Sequence, residues 1–325
     1  MRYMTGIQST GIPHIGNILG VILPTLSYIK KYKKDKFFIM IADLHSLTNY
    51  VNPIILNKNI YKTAAALLSF FFINKSNIYF YRQSDIKEIN ELFWYLNCFY
   101  PFNRLKLSHA IKNKKKISYN TGTINYPILM ASDILLYDIN KVIIGKDQKQ
   151  HIEICRKIAK NINNKLKKDI FIIPNIKIKN KYIIPGTDGY KMSKSKKNII
   201  NIFDTKEKLE KQIMNIKTIN KSIINLSYKE VQNTVLLKLY KLIAKKDEYN
   251  YISEKIKAYK IGFYNIKKQL FRYILFKFNK ERKKFIYLLN NKQKIKKILY
   301  KGYLKSKKIA KKKINKIKKE IGLII

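Results

Sequence analysis

Residues 186 to 198 read GTDGYKMSKSKKN, a stretch in which Lys191 and Lys194 alternate with Ser193 and Ser195 behind two glycines. In a loop freed by Gly186 and Gly189, the two ammonium groups can converge on phosphate oxygens while the serine hydroxyls add short donors. That arrangement stabilises charge that builds on a leaving phosphate. A solvated basic loop is the competing reading, since the chain has 68 Lys and Arg against 20 Asp and Glu.

Three more stretches could carry chemistry. In GIQSTGIPHIGNILG, residues 6 to 20, a glycine-bracketed turn holds Gln8, Ser9 and Thr10; Pro13 then signals a helix start, with His14, Gly16 and Asn17 in the first turn. Free N–H groups there, with Gly16 allowing close approach, suit an anionic or nucleotide ligand, although an ordinary strand-to-helix turn has the same composition. The spacing is neither GxGxxG nor GxxxxGK[ST], so neither a dinucleotide fingerprint nor a P-loop is indicated. In NYPILMASDILLYD, Asp133 sits among Leu129, Met130, Ala131, Ile134, Leu135 and Leu136, where a helix would bury it. A buried carboxylate needs a donor, which is either a neighbouring protein group or a bound ligand. In GKDQKQH, residues 145 to 151, Gly145 lets a ligand approach the backbone, Asp147 can accept from sugar hydroxyls and Gln148 offers both donor and acceptor. Asp147 as a helix N-cap fits equally well.

These residues follow short apolar runs. KFFIMIADLHSLT predicts a strand at about residues 37 to 42, NIYFYRQSD a second ending near Tyr81, and KVIIGKDQ a third ending at Ile144, after which Ile152, Cys155, Ala159 and Ile162 keep a helical stripe. Strands alternating with helices imply an α/β fold with a parallel, doubly wound sheet, whose ligands bind at the carboxyl ends of the strands. From about residue 205 the period becomes helical throughout, and Ala310, Ile314, Ile317 and Ile321 line one face of a terminal helix whose other face is lysine. A Rossmann-like sheet domain over 1–197 and an all-helical domain over 198–325 are expected, with the last helix folding back onto the first domain.

A chain of 325 residues has room for about two domains, and 46% hydrophobic residues exclude a disordered composition. The net charge of +48 favours a polyanionic partner only weakly, because the lysines are spread along the whole chain and accompany an excess of Ile and Asn. Cys98 and Cys155 are far apart, and His14, His45, His109 and His151 lack metal-ligand spacing, so neither a disulfide framework nor a structural zinc site is indicated. The opening MRYMTGIQSTG lacks the apolar core of a signal peptide, and no apolar run approaches the ~20 residues of a membrane span. A cytoplasmic protein without membrane contact is the expectation.

Together the motifs resemble a family. HIGN (His14 to Asn17) is similar to the HIGH signature and KMSKS (Lys191 to Ser195) to the second signature of class I aminoacyl-tRNA synthetases. GIQSTG, ADLHSLT, YPILMASDILLY, GKDQKQHIE and PGTDGYKMSKS stand in the order and spacing of bacterial tryptophanyl-tRNA synthetases; TVLLKLYKLIA, KIGFYNIKKQL and KKEIGL extend the resemblance through the helical tail. The resemblance implies that Gln8, Ser9, Thr10, His14, Gly16, Asn17, Gly145, Lys146, Asp147, Ile183 and Lys191, Met192, Ser193, Lys194 and Ser195 hold ATP, with Lys112 a further phosphate ligand. It implies catalytic roles for Lys191, Lys194 and Gln8. Asp133 would accept the indole N–H of tryptophan, with Tyr126, Met130, His45 and Gln148 lining the pocket. Three positions depart from the family pattern: Ser9 replaces a proline, Asn17 replaces the last His of HIGH, and Lys146 stands where an acid is usual.

The chemistry so implied needs no general base, because a carboxylate attacking the α-phosphate of ATP is already an anion at neutral pH. It needs in-line positioning and stabilisation of departing pyrophosphate. Magnesium would accompany ATP without a protein cage. The partners implied are L-tryptophan, ATP and tRNA(Trp), with a homodimeric assembly. A tyrosyl-tRNA synthetase, which meets a phenol with a similar aspartate, and a non-catalytic RNA-binding relic are the alternatives.

Overall fold

The computed structural model describes residues 1–48, 52–71, 76–106, 120–177, 184–219, 223 and 226–324, with Lys106 and Lys146 described by their backbone alone. Five strands, β1 (Arg2–Gln8), β2 (Lys36–Ala42), β3 (Ile78–Arg82), β4 (Lys141–Ile143) and β5 (Asn175–Lys177), form one parallel sheet in the order β3-β2-β1-β4-β5. The sheet is buried on both faces, which is why β2 reads as an unbroken apolar run instead of alternating with polar residues. Side chains of successive residues point to opposite faces. Phe37, Ile39 and Ile41 therefore enter one core, while Phe38, Met40 and Ala42 enter the other.

Helices Pro53–Phe70 and Lys206–Met214 contribute to the first core; helices Lys87–Phe99, Thr121–Leu135 and Lys149–Leu166 contribute to the second. The stripe Ile152, Cys155, Ala159 and Ile162 is fully buried, as its spacing predicts. Helix Thr121–Leu135 presents Ala131, Asp133, Ile134 and Leu135 to the interior. Its start is fixed by Asn120, whose side-chain oxygen accepts the Thr123 N–H at 2.9 Å.

Beyond residue 205 the described residues are helical, ending in the 29-residue helix Lys292–Glu320. That helix crosses the edge strand β3 at Gly302, where an added Cβ would collide with the Phe80 carbonyl. Ahead of the crossing, Ile295 and Leu299 join the first core; beyond it, Ala310, Ile314 and Ile317 join the second. One helix thus covers the open edge of the sheet, the place where unpaired strand would otherwise invite association. Its lysine face has one exception. Lys313 is buried, with its ammonium on the Asp138 carboxylate and on the Ile170 carbonyl at 2.6 Å, and it lies over the Phe171 ring. Lys318 pairs with Glu91 and Lys168 with Glu320, each at 2.6 Å, close to that anchor. Among the described residues no helix is long and apolar enough to cross a membrane.

Because the close approach at Gly302 leaves no room for a methyl group, Gly302→Ala is expected to lower unfolding free energy by about 1–3 kcal/mol through overpacking, despite the better helix propensity of alanine. Urea titration of both proteins checks this; a variant as stable as the parent would show that the helix does not rest on β3 there.

Candidate active site

In this strand order the chain winds in opposite directions on either side of β1 and β4, and the helices that follow the two strands diverge. A crevice opens at their carboxyl ends. It has a volume of about 960 Å³ and runs from the end of β1 (Ile7, Gln8, Thr10) to the end of β4 (Ile143, Ile144, Gly145). His14, Gly16 and Asn17 form one wall; Asp147 and Gln148 stand opposite. Tyr126, Met130 and Asp133 come from helix Thr121–Leu135 and His45 from the turn Leu44–Thr48 after β2, while Lys191, Met192, Ser193, Lys194 and Ser195 line the remaining side. These residues converge from segments far apart in sequence. Ile183, Lys112 and the side chain of Lys146 lie outside the described residues.

Ser9 is the exception. It is buried away from the crevice, its N–H donating to the Ser46 hydroxyl at 3.0 Å and its own hydroxyl 2.9 Å from the same oxygen. The Ser46 oxygen also contacts the Ala42 carbonyl at 3.1 Å, so Ser9 ties the first turn to the end of β2. Its donors are therefore committed inside the protein, and the expectation that Ser9 faces a nucleotide does not fit this geometry.

Asp133 is fully buried, and burial pushes its carboxyl well above the ordinary carboxylate range. Gln83 opposes this: its amide nitrogen lies 3.0 and 2.9 Å from the two carboxylate oxygens and 2.8 Å from His45 Nδ1. The Gln83 oxygen accepts the His45 backbone N–H at 3.3 Å. Burial lowers the His45 imidazole to about 4, so the ring is neutral at pH 7, and it lies edge-on to Tyr126 at 4.3 Å between centroids. Sequence reasoning missed Gln83. Its position just past the apolar run of β3, where ligand-facing residues of such sheets concentrate, was the available signal.

At the mouth, His14 caps the short helix Ile15–Asn17, and Asn17 Oδ1 accepts its backbone N–H at 3.1 Å. Gly16 is needed here, since a Cβ would meet the His14 ring at 2.8 Å. His14 is lowered to about 4 by burial and by the Lys194 and Lys191 cations. Lys194 is itself lowered to about 8 by burial, with its ammonium 3.4 Å from the Thr10 hydroxyl. Lys191 pairs with Asp147 at 3.2 Å. Burial alone would raise the Asp147 carboxyl, but hydrogen bonding from Gln148 at 2.9 Å and the Lys191 charge outweigh it and hold the group low.

The loop that carries these lysines is anchored by Asn198, a buried residue not singled out from sequence. Its side-chain oxygen accepts the Ser193 N–H at 2.8 Å, and its amide donates to Asp188 at 2.8 Å and to the Lys191 carbonyl at 3.2 Å. Pro185 bridges Lys191 across the turn, which Gly189 makes at φ +90°. An added Cβ at Gly186 would come within 2.7 Å of the Asn198 carbonyl oxygen. Both glycines therefore serve close packing and turning.

A parallel sheet with two apposed nucleotide-type turns and a lysine-bearing loop across its crevice defines a class I aminoacyl-tRNA synthetase. Residues 1–274 match the family described as tRNA synthetases class I (W and Y), and the chain belongs to it. Within that family the relatives it resembles over full length are tryptophan--tRNA ligases. That of Campylobacter jejuni is 36% identical over 326 residues, covering 99% of this chain and 100% of its own; that of Fusobacterium nucleatum is 37% identical, covering 99% and 98%. The crystal structure of the C. jejuni tryptophanyl-tRNA synthetase complexed with ADP and tryptophan superposes with a TM-score of 0.89, covering 99% of this chain and all of that one.

The depressed His14 gives a pH signature. An unfolded imidazole titrates near 6.5, so between pH 6.5 and 4 the unfolded chain binds a proton that the folded chain refuses; stability conferred at neutral pH is lost as pH falls through that window. Unfolding free energies at pH 7 and pH 4.5 are expected to differ by about 2 kcal/mol less in His14→Gln than in the parent. Equal differences would mean that His14 is not held neutral.

Proposed function

We propose that the chain activates L-tryptophan with ATP to form tryptophanyl-adenylate and pyrophosphate, and then transfers the tryptophanyl group to tRNA(Trp) for protein synthesis. The observation that carries this reading is the conjunction of a buried Asp133 at one end of the crevice with Lys191 and Lys194 at the other. Asp133 accepts the indole N–H, and Tyr126, Met130, His45 and Gln148 enclose the ring. Gln8, Thr10, His14, Gly16, Asn17, Gly145, Asp147 and the backbone of Lys146 surround ATP, which enters as its magnesium complex. Ser9 supports the turn instead of binding nucleotide. The tryptophan carboxylate attacks the α-phosphorus, the bond to the β-phosphate oxygen breaks, and negative charge grows on pyrophosphate.

Lys191, Lys194 and Gln8 stabilise that charge. Lys194 is suited to it because a desolvated ammonium interacts more strongly with phosphate than a hydrated one. Its pairing with Asp147 holds Lys191 near the nucleotide until phosphate competes for it. His14, neutral at pH 7, adds no charge and serves as a hydrogen-bonding wall. The helical residues 198–325 receive tRNA, whose backbone the basic surface attracts, and the active assembly is a homodimer. Asp133 by itself would suit a phenol as well, and the names of the full-length relatives favour tryptophan over tyrosine.

ATP–pyrophosphate exchange with tryptophan and tyrosine supplied separately, without tRNA, tests the reading. Exchange with tryptophan alone is expected; exchange with tyrosine alone would reassign the amino acid, and none from folded protein would leave an RNA-binding role. Lys194→Ala is expected to slow adenylate formation roughly 10²–10³-fold while leaving tRNA affinity nearly unchanged. Equal losses in both would remove that lysine from pyrophosphate stabilisation.

A further inference from the structure

We infer that Gln83 is a positioning residue for amino-acid specificity: it holds Asp133 as a pure hydrogen-bond acceptor, so that the site demands a ring N–H donor from its substrate. The inference rests on the assignment of Asp133 to the indole. Gln83 lies in the turn Gln83–Asp85 after β3 and is fully buried. Its amide has a single workable orientation. With nitrogen and oxygen exchanged, the carbonyl would face both Asp133 oxygens at 3.0 and 2.9 Å, acceptor against acceptor, and the amide group would face the His45 N–H, donor against donor.

His45 stands on the other side of the amide, its Nδ1 2.8 Å from the Gln83 nitrogen and 3.2 Å from the Gln83 oxygen; a neutral ring with its lone pair on Nδ1 accepts the second amide hydrogen. His45 and Gln83 thus form a buried relay whose end product is an N–H aimed at the Asp133 carboxylate. That donor favours the ionised form against a setting that otherwise disfavours it, since Asp43, Tyr81, Tyr126, Tyr137 and Cys155 around the carboxyl bring no cation. Without the Gln83 donor, burial would raise the Asp133 carboxyl further and favour a bound proton, whose O–H would compete with a donor ligand. An ionised acceptor gains strongly from a ligand N–H and leaves a costly unpaired group when a ligand lacks it.

The test uses the full chain and two amino acids, L-tryptophan and the isostere whose indole N–H is replaced by sulfur. In ATP–pyrophosphate exchange the parent should favour tryptophan in kcat/KM by roughly 10–100-fold, the value of one hydrogen bond to a charged acceptor. Gln83→Met should bring the ratio to within about threefold of unity, chiefly through a raised KM for tryptophan with kcat and the KM for ATP little changed. Gln83→Glu, isosteric but able to donate only when protonated, should regain discrimination as pH falls. Thermal unfolding of each variant establishes that it is folded. A parent that treats the two amino acids alike would overturn the indole assignment of Asp133; a parent that discriminates together with folded variants that discriminate equally would overturn the role of Gln83 alone.

Discussion

Everything at the site depends on β1 being hydrogen-bonded on both sides by strands whose connecting helices lie on opposite faces. Its seven-residue pairing with β2 fixes the level at which Gln8 leaves the sheet, opposite Ala42, while β4 pairs with it over only two residues and then turns away at Gly145. The crevice is the space left by that divergence. It needs no dedicated walls, because the ends of the strands already aim backbone amides and short side chains into it. The two glycine-bearing turns tolerate no crowding for the same reason: each passes close to the side chain that will face the ligand.

Electrostatics then divides the crevice into two unlike ends. Near β3 and helix Thr121–Leu135, burial dominates: it raises the Asp133 carboxyl and lowers the His45 imidazole, and the Gln83 amide between them opposes both shifts. Near the loop, charge dominates: Lys191, Lys194 and Lys196 share a half-exposed space with the Asp147 carboxylate, and His14 beside them stays neutral until pH falls to about 4. Outside the site, part of the excess cation is placed over aromatic rings, as with the Lys255 ammonium over Tyr251 at 4.4 Å and the Lys294 ammonium over Tyr287 at 5.0 Å. Such contacts set the ammonium against the negative face of the ring.

Strands β2, β3 and β4 and the buried stripe of helix Lys149–Leu166 were legible because burial on both faces writes itself as continuous apolar sequence. β5 was not, since its three residues are short and partly exposed. The loop lysines, Gly16, Gly145 and Asp133 were legible because their types are unusual where they stand: glycines at helix starts and a carboxylate in an apolar helix. Gln83, Asn198 and Lys313 were hidden for the opposite reason. Each is an ordinary polar residue whose meaning lies in partners 50, 5 and 175 positions away. The inward direction of the Ser9 hydroxyl, toward Ser46, was not legible because a hydroxyl in a turn looks the same from sequence whether it points out or in.

The passage of helix Lys292–Glu320 over β3 also has a bearing on how the chain is made. The sheet is assembled from residues 2 to 177, yet the element that seals its edge and completes both of its cores emerges from the ribosome more than a hundred residues later. Until then β3 presents open backbone groups, and the two cores lack Ile295 and Leu299 on one side and Ala310, Ile314 and Ile317 on the other. The nascent protein must pass through that period with its edge uncovered, and its dense positive charge, repelling neighbouring copies, is itself a safeguard against their pairing there.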